Sequence, residues 1–374
     1  MTRILIACGL LALAQPASRY QFDAAGRPVR IDQTWELRAG FDAIDIFMAV
    51  ARCGQHVFLA DTQSNVFRIN ANQPVATLAP FAGEDRGIGR PRGLLADCAR
   101  RQLHVNNSGP KTIVTLDLES GAVVASRPYQ REVYPSSSAM ALAAPDTLMI
   151  GGLWNPDTKL ALPDRQQPTF FDQTSIGQRV SLTSGAVSPG LAPYESKCPA
   201  AGACTTSDFD AIGEGTPRGW IASLGISTKV ALYDATGTRT STIAVSSPRF
   251  KRDGTEMPVK SRPEDYERWR SRNSVIRRVF AMGRYFVVVH STTLIGPKWV
   301  FGETPQLEVF MNVYAADGTP LVSDVRLPDQ PIGRDATHLY AIDYGPDGRG
   351  QSSERVRLVR IPVEAGARII RNQQ

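Results

Sequence analysis

Gln102-Leu-His-Val-Asn-Asn-Ser108, followed by Ile113-Val-Thr-Leu-Asp-Leu-Glu-Ser-Gly121, decides the fold. Both runs are short, rich in β-branched and apolar residues, and bounded by turn formers, which is how strands read. The second closes on Asp117 and Gly121, a side-chain acceptor and a permissive backbone suited to a tight turn. The same unit recurs as Val66-Phe-Arg-Ile-Asn70, Thr169-Phe-Phe-Asp172 with Gly177, and Val230-Ala-Leu-Tyr-Asp234 with Gly237. It returns as Val313-Tyr-Ala-Ala-Asp317 with Gly318 and Val356-Arg-Leu-Val-Arg-Ile361 with Gly366. Each copy has a partner strand just upstream: His56–Ala60, Gln102–Asn106, Thr147–Gly151, Gly219–Ser223, Tyr285–His290 and His338–Asp343. Most copies add a strand before this pair, such as Ile44 to Ala51, and one after it, such as Ala122 to Arg127. Four short strands about every 45 to 60 residues is the pattern of a propeller blade.

Six such units predict an all-β, six-bladed β-propeller with four-stranded blades. A further copy of the turn, Tyr20-Gln-Phe-Asp23 with Gly26, leads into Arg27-Pro-Val-Arg-Ile31 but lacks upstream strands. The C-terminal copy has few residues left for an outer strand. The N-terminal strand is therefore read as completing the last blade and closing the ring. The alternative counts it as the start of a seventh blade.

The chain opens with Arg3, the apolar run Ile4 to Ala14, and the small-x-small sequence Ala12-Leu13-Ala14. This is the form of a secretory signal peptide. The run falls well short of the roughly 20 residues a transmembrane helix needs. Residues 1–19 are read as signal peptide and short leader, and 20–374 as one propeller domain. Leu5-Ile6-Ala7-Cys8 also has the form of a lipobox, so a lipid anchor through Cys8 is a second reading. Either way the expected location is the periplasm or beyond, with no transmembrane segment.

Of the five cysteines, Cys8 leaves with the signal, and Cys53, Cys98, Cys198 and Cys204 remain. An even count suits an oxidising compartment. Three pairings exist on paper. Cys53 and Cys98 occupy equivalent turns of neighbouring repeats, which a propeller places side by side on one face. Cys198 and Cys204 flank a short loop. Bridges Cys53–Cys98 and Cys198–Cys204 are the expectation.

Taken together, Pro91-Arg-Gly-Leu-Leu-Ala-Asp97, Gln102-Leu-His-Val-Asn-Asn-Ser108 and Val114-Thr-Leu-Asp-Leu-Glu-Ser-Gly121 resemble exported bacterial six-bladed propellers of the broad NHL/TolB-like group. The likeness spans about residues 40 to 365 in pattern and implies architecture only. The third repeat and three insertions, at about 154–168, 186–209 and 248–274, depart from it.

The net charge of +6 is concentrated in the last insertion and the strand after it. Arg249 to Arg284 holds eleven basic and five acidic residues. A solvated basic insertion on an exported protein is the reading adopted, rather than a nucleic-acid surface. Within it, Ser261-Arg-Pro-Glu-Asp-Tyr-Glu-Arg-Trp-Arg-Ser-Arg272 reads as a helix, with Pro263 in its first turn, acids leading and arginines trailing. The helix would dock Tyr266 and Trp269 on the rim, or act as a lid.

Function is less legible. No Gly-x-Ser-x-Gly elbow and no His-Glu-x-x-His occur. Gly87-Ile-Gly-Arg-Pro-Arg-Gly93 and Gly213-Glu-Gly-Thr-Pro-Arg-Gly219 have the wrong spacing for a dinucleotide loop and read as turns into strands. The four histidines, His56, His104, His290 and His338, all fall in second strands. Asn106, Asn107 and Asp343 are oxygen donors of the kind calcium takes. Loops joining second to third strands share a face with the ring entrance, and three are long. They carry Trp154, Trp299, Phe301 and Tyr344, candidates for a binding patch. The expected function is an exported, monomeric binding or scaffold protein for a protein, peptide or glycan, without cofactor. The alternative is a metal-dependent hydrolase or lactonase, with calcium at the axis.

Overall fold

A computed structural model describes residues 31–39, 47–129, 133–134, 138–154, 174–194, 207–213, 215–225, 227–253, 263–295, 306–344 and 356–363. Within them six antiparallel sheets follow one another around a ring. Blade 1 runs Phe47–Cys53, His56–Asp61, Val66–Asn70, Pro80–Ala82 from the axis outward. Blade 2 is Pro91–Asp97, Gln102–Asn107, Thr112–Asp117, Val123–Pro128. Blade 3 is Met140–Ala144, Thr147–Trp154, Ser175–Ser181, Val187–Leu191, and blade 4 is Ser207–Ile212, Gly219–Leu224, Lys229–Asp234, Arg239–Ala244. Blade 5 is Val275–Met282, Tyr285–Leu294, Gln306–Ala315, Pro320–Leu327. Blade 6 takes Pro331–Arg334, His338–Asp343 and Val356–Pro362 from the C-terminal part and Gln33–Ala39 from the N-terminal part.

The expected six-bladed ring closed by an N-terminal strand is thus the observed one. The closing strand is Gln33–Ala39, paired antiparallel with Val356–Pro362. The copy at 20–31 that suggested it lies almost wholly outside the described residues. In the third blade the expected anchor was displaced. Thr169–Asp172 is outside the described residues, and Gly177 sits within the strand Ser175–Ser181 rather than in its turn. The turn follows Ser181, whose Oγ accepts from the N–H groups of Thr183 and Ser184 at 3.3 and 3.1 Å. In blades 2 and 4 a carboxylate does this work. Asp117 Oδ1 accepts from Glu119 and Ser120, and Asp234 Oδ1 from Thr236, Gly237 and Thr238. The stretch at 186–209 contributes strands at both ends, Val187–Leu191 and the start of Ser207–Ile212.

The seam has a second clasp. After its third strand, blade 1 sends Val75–Leu78 out to pair in parallel with Gln33–Ala39, then returns for its own outer strand. Trp35, fully buried, donates its indole N–H to the Ala71 carbonyl at 3.2 Å and stacks on Tyr340 at 6.2 Å. Gln33 Nε2 donates to the same carbonyl. Below the stack, Asp335 Oδ2 accepts from Tyr340 Oη at 2.7 Å and from Arg360 at 2.9 Å. Burial works against its charged form. The Thr337 N–H, Tyr340 Oη and Arg360 outweigh that and hold the carboxyl well below the usual range. Burial pushes the Tyr340 phenol up to about 12.

The core is not central. It lies in six apolar slabs, one between each pair of neighbouring blades. Phe58, Leu103 and Val105 fill the slab between blades 1 and 2. Val279, Val288 and Ile221 join blades 4 and 5. Burying both faces of each sheet explains why second strands such as Val57-Phe-Leu-Ala60 are continuously apolar rather than alternating. On the rim between blades 1 and 2, Cys53 and Cys98 form the expected disulfide, with Cα atoms 5.6 Å apart. Cys198 and Cys204 lie outside the described residues.

Candidate functional site

Antiparallel pairing sorts every connection onto one of two faces. The first-to-second and third-to-fourth turns share the face of the disulfide. They are short: Cys53 to His56, Ala144 to Thr147, Met282 to Tyr285, Asp117 to Val123. The opposite face takes the second-to-third connections and the passages between blades. The strand ends flanking 155–173, 195–206, 296–305 and 345–355 all lie there.

The helix Pro263–Arg272 forms where the sequence placed it, in the passage from blade 4 to blade 5 on this loop face. Trp269 is buried, and Asn273, just past the helix, donates Nδ2–H to Asp253 Oδ1 at 3.0 Å. The basic insertion is seated on blade 5. Arg249 stacks over Phe310 at 5.2 Å, Arg252 over Phe250 at 5.1 Å, and Phe250 packs edge-on to His290. Arg270 pairs with Glu267 at 3.1 Å and Arg272 with Asp253 at 3.3 Å, so part of the positive charge is compensated within the insertion.

Of the four aromatic candidates, Trp154 ends the second strand of blade 3 at this face, half-buried. Tyr344 is 8% exposed; its Oη accepts the Phe47 N–H at 3.3 Å, tying blade 6 to blade 1 beneath the loops. Trp299 and Phe301 lie outside the described residues. The second-strand histidines stand one strand out from the axis. His104 bonds Thr115 Oγ1 through Nδ1 at 3.0 Å, and burial pushes it down to about 4. His290 is fully buried, and burial pushes it down to about 3. His338 Nε2 meets Asp32 Oδ2 at 2.9 Å at the seam, while His56 Nε2 lies 3.7 Å from Glu119 on the turn face. Asn106 Oδ1 accepts from Tyr129 Oη, Asn107 Oδ1 accepts the Gly89 N–H, and Asp343 pairs with Arg357 at 2.7 Å. Each of these oxygen donors is therefore engaged in holding its own loop. Among the described residues no cluster of three or more His, Cys, Asp or Glu could hold a metal ion.

The axis is polar where blades 4 and 5 meet. An innermost strand has one edge without a neighbour, and its N–H groups need partners. Asp208 and Asp210 of blade 4 supply them, accepting from Val279 N at 2.8 Å and Ala281 N at 2.9 Å. Each carboxylate is also tied to an arginine. Arg278, 6% exposed, lies 3.5 Å from Asp208 and donates to Ser138 Oγ beside blade 3. Arg334 reaches from blade 6, past blade 5, to Asp210 and donates its Nη2–H to Oδ1 at 2.9 Å. These carboxylates are committed to backbone and guanidinium, which leaves them poorly disposed as calcium ligands.

Rigid blades, a disulfide-stapled turn face and a loop face around a polar axis define a six-bladed propeller. No family model matches the chain, and no curated protein matches it in sequence. Solved structures share the fold. A member of the DUF4221 family from Bacteroides vulgatus superposes with a TM-score of 0.63 at 10% identity, covering 89% of this chain and 97% of its own. A Bacteroides fragilis protein named for its expected export gives 0.50 at 10% identity, covering 88% of this chain and 95% of its own. At such identities the likeness is one of architecture.

Proposed function

We propose that this chain is an exported binding or scaffold protein that holds a protein, peptide or glycan on its loop face. The observation that carries the reading is the division of the two faces: mostly short turns on one, and on the other the strand ends that flank 155–173, 195–206, 296–305 and 345–355. Binding residues concentrate on loops positioned by a rigid scaffold. The Cys53–Cys98 bridge supports a life in an oxidising compartment. Among the described residues no helix is long and apolar enough to cross a membrane. Trp154, Trp299 and Phe301 are the proposed contacts, with Tyr344 supporting them from the core. The test screens the purified protein against arrays of secreted proteins, peptides and glycans. Any ligand found is then titrated against Trp154→Ala, Trp299→Ala and Phe301→Ala. A drop of about tenfold in affinity for at least one variant is expected, of the size seen when an aromatic anchor is removed. Arg239→Ala, on the opposite face, should leave binding unchanged. A ligand indifferent to all three loop variants, or no ligand in any array, defeats the reading.

A further inference from the structure

The outer strand of blade 5 is irregular at one point. Met311 pairs with Val325 and Val313 with Val322, so Asn312 stands opposite two residues, Ser323 and Asp324. A bulge of this kind re-aims a side chain. It takes Asp324 into the left-handed region, at φ 58°, which is costly for a residue with a Cβ and persists only where the surroundings hold it. Asn312 Oδ1 supplies part of that hold by accepting the Asp324 N–H at 2.8 Å. The outcome is a carboxylate that is 5% exposed and turned toward His290.

The passage from blade 4 to blade 5 is fastened over this spot. The Ser246 N–H donates to Tyr314 Oη at 3.1 Å, Ser247 Oγ donates to Asp324 Oδ1, and the Lys251 N–H donates to Ser274 Oγ at 2.9 Å. His290, fully buried, brings Nε2 to 3.7 Å from Asp324 Oδ1, beyond the reach of a direct hydrogen bond. The rings of Phe250 and Phe310 flank the imidazole at 5.1 and 5.4 Å and offer it no acceptor. Burial, and after it the charge of Arg252, keeps the ring neutral, so it presents one N–H and one lone pair. Neither His290 nitrogen meets a hydrogen-bonding group of the protein, and neither does Nδ2 of Asn312, which is also fully buried. Leaving a buried polar group bare costs more than an ordinary hydrogen bond gains. Here two residues with bare groups share one carboxylate between them.

We infer that an internal water is built into blade 5 at this point, hydrogen-bonded by His290, Asn312 and Asp324. A polar contact stretched to 3.7 Å is of the kind one bridging oxygen spans. The mixture of groups selects water. A cation would face the Asn312 N–H groups and an anion the Asp324 carboxylate, whereas water accepts from the first and donates to the second. Three protein partners is the usual number for a buried water. Its place in the fold is that of a pin, because it steadies the carboxylate to which Ser247 of the passage is tied. The inference is independent of what the loop face binds.

A crystal structure and one substitution test it. Electron density should show a single oxygen within about 3.2 Å of a His290 nitrogen, Asn312 Nδ2 and an Asp324 oxygen. His290→Phe keeps a flat ring of similar size and removes both nitrogens. With water in the site, the variant takes a partner from the network, and urea titration should show the folding equilibrium constant fall by about tenfold. In a dry site the same change relieves two bare nitrogens and adds apolar contact with Phe250 and Phe310, so the constant should hold level or rise. Circular dichroism confirms that the variant folds; if it does not, the density in the parent protein decides alone. An empty site in the parent, contacts of about 2.4 Å or less that mark a metal ion instead, or a His290→Phe variant as stable as the parent or more so overturns the inference.

Discussion

Replacing Trp35 by alanine strikes the strand that closes the ring. The indole is fully buried, sandwiched between Tyr340 and the chain that blade 1 lends to blade 6. Truncating a buried Trp to Ala costs about 3 to 5 kcal/mol through lost transfer energy and the cavity left behind. The indole hydrogen bond to Ala71 adds about 1 kcal/mol, partly offset because Gln33 still serves that carbonyl. About 4 kcal/mol is the expected sum, which for a chain this long lowers the melting temperature by roughly 5 °C. Trp35→Phe keeps most of the packing and should cost about 1 to 2 kcal/mol. Urea titration followed by fluorescence gives the loss. Amide hydrogen exchange locates it: protection should fall first in 33–39 and 75–78 and last in the inner strands of blades 3 and 4. A loss below about 1 kcal/mol for the alanine variant, or exchange that rises uniformly around the ring, would refute a seam held by this residue.

Four further outcomes follow from the same packing. Non-reducing peptide mapping should recover Cys53 and Cys98 in one linked fragment, and Cys98→Ser should lower stability by about 2 to 4 kcal/mol in chemical denaturation. Asp208→Ala strands the buried Arg278 and the Val279 N–H, and a loss of about 3 to 5 kcal/mol is expected, against a smaller one for Asp208→Asn. His104 titrates near 4 in the folded protein and near 6.5 unfolded, so folding favours the neutral ring. Its contribution is full above pH 6.5 and is lost as pH falls toward 4, by about 3 kcal/mol at most; His104→Gln should flatten the stability profile in that window. Gly333→Ala would drive a methyl into the Val50 side chain and backbone, 2.5 and 2.8 Å from the added carbon, and should part blades 6 and 1, seen as a lowered melting point.

Much of the architecture is legible because second and third strands are buried on both faces and stand out as unbroken β-branched runs. The third blade slipped for a definite reason. Asp172 with Gly177 has the residues of the recurring turn, whereas the working turn uses the Ser181 hydroxyl as its cap. The clasp Val75–Leu78 carries no signal of its own, because its partner is a distant parallel strand and nothing in four residues names that partner. The register slips that make Met48, Arg92, Arg277 and Ile332 extra residues in four innermost strands share no chemistry. A faint signal does exist: Pro91-Arg-Gly93 and Pro331-Ile-Gly333 repeat the same Pro-x-Gly frame at the head of an innermost strand. Among the aromatic candidates, Tyr344 shows the limit of reasoning from loops. A residue one step past a strand can be core, and here it ties two blades together.

The seam also sets a direction. The described chain enters the propeller at Gln33, opposite Arg360, and leaves it beside His338, so both ends emerge among the tight turns. Anything fastened close to Gln33 or Pro362 would hold the molecule by its closed side. The loop face would then point outward, like a cup standing on its base. An immobilised sample should accordingly be attached close to Gln33 or Pro362 when the loop face is to be probed.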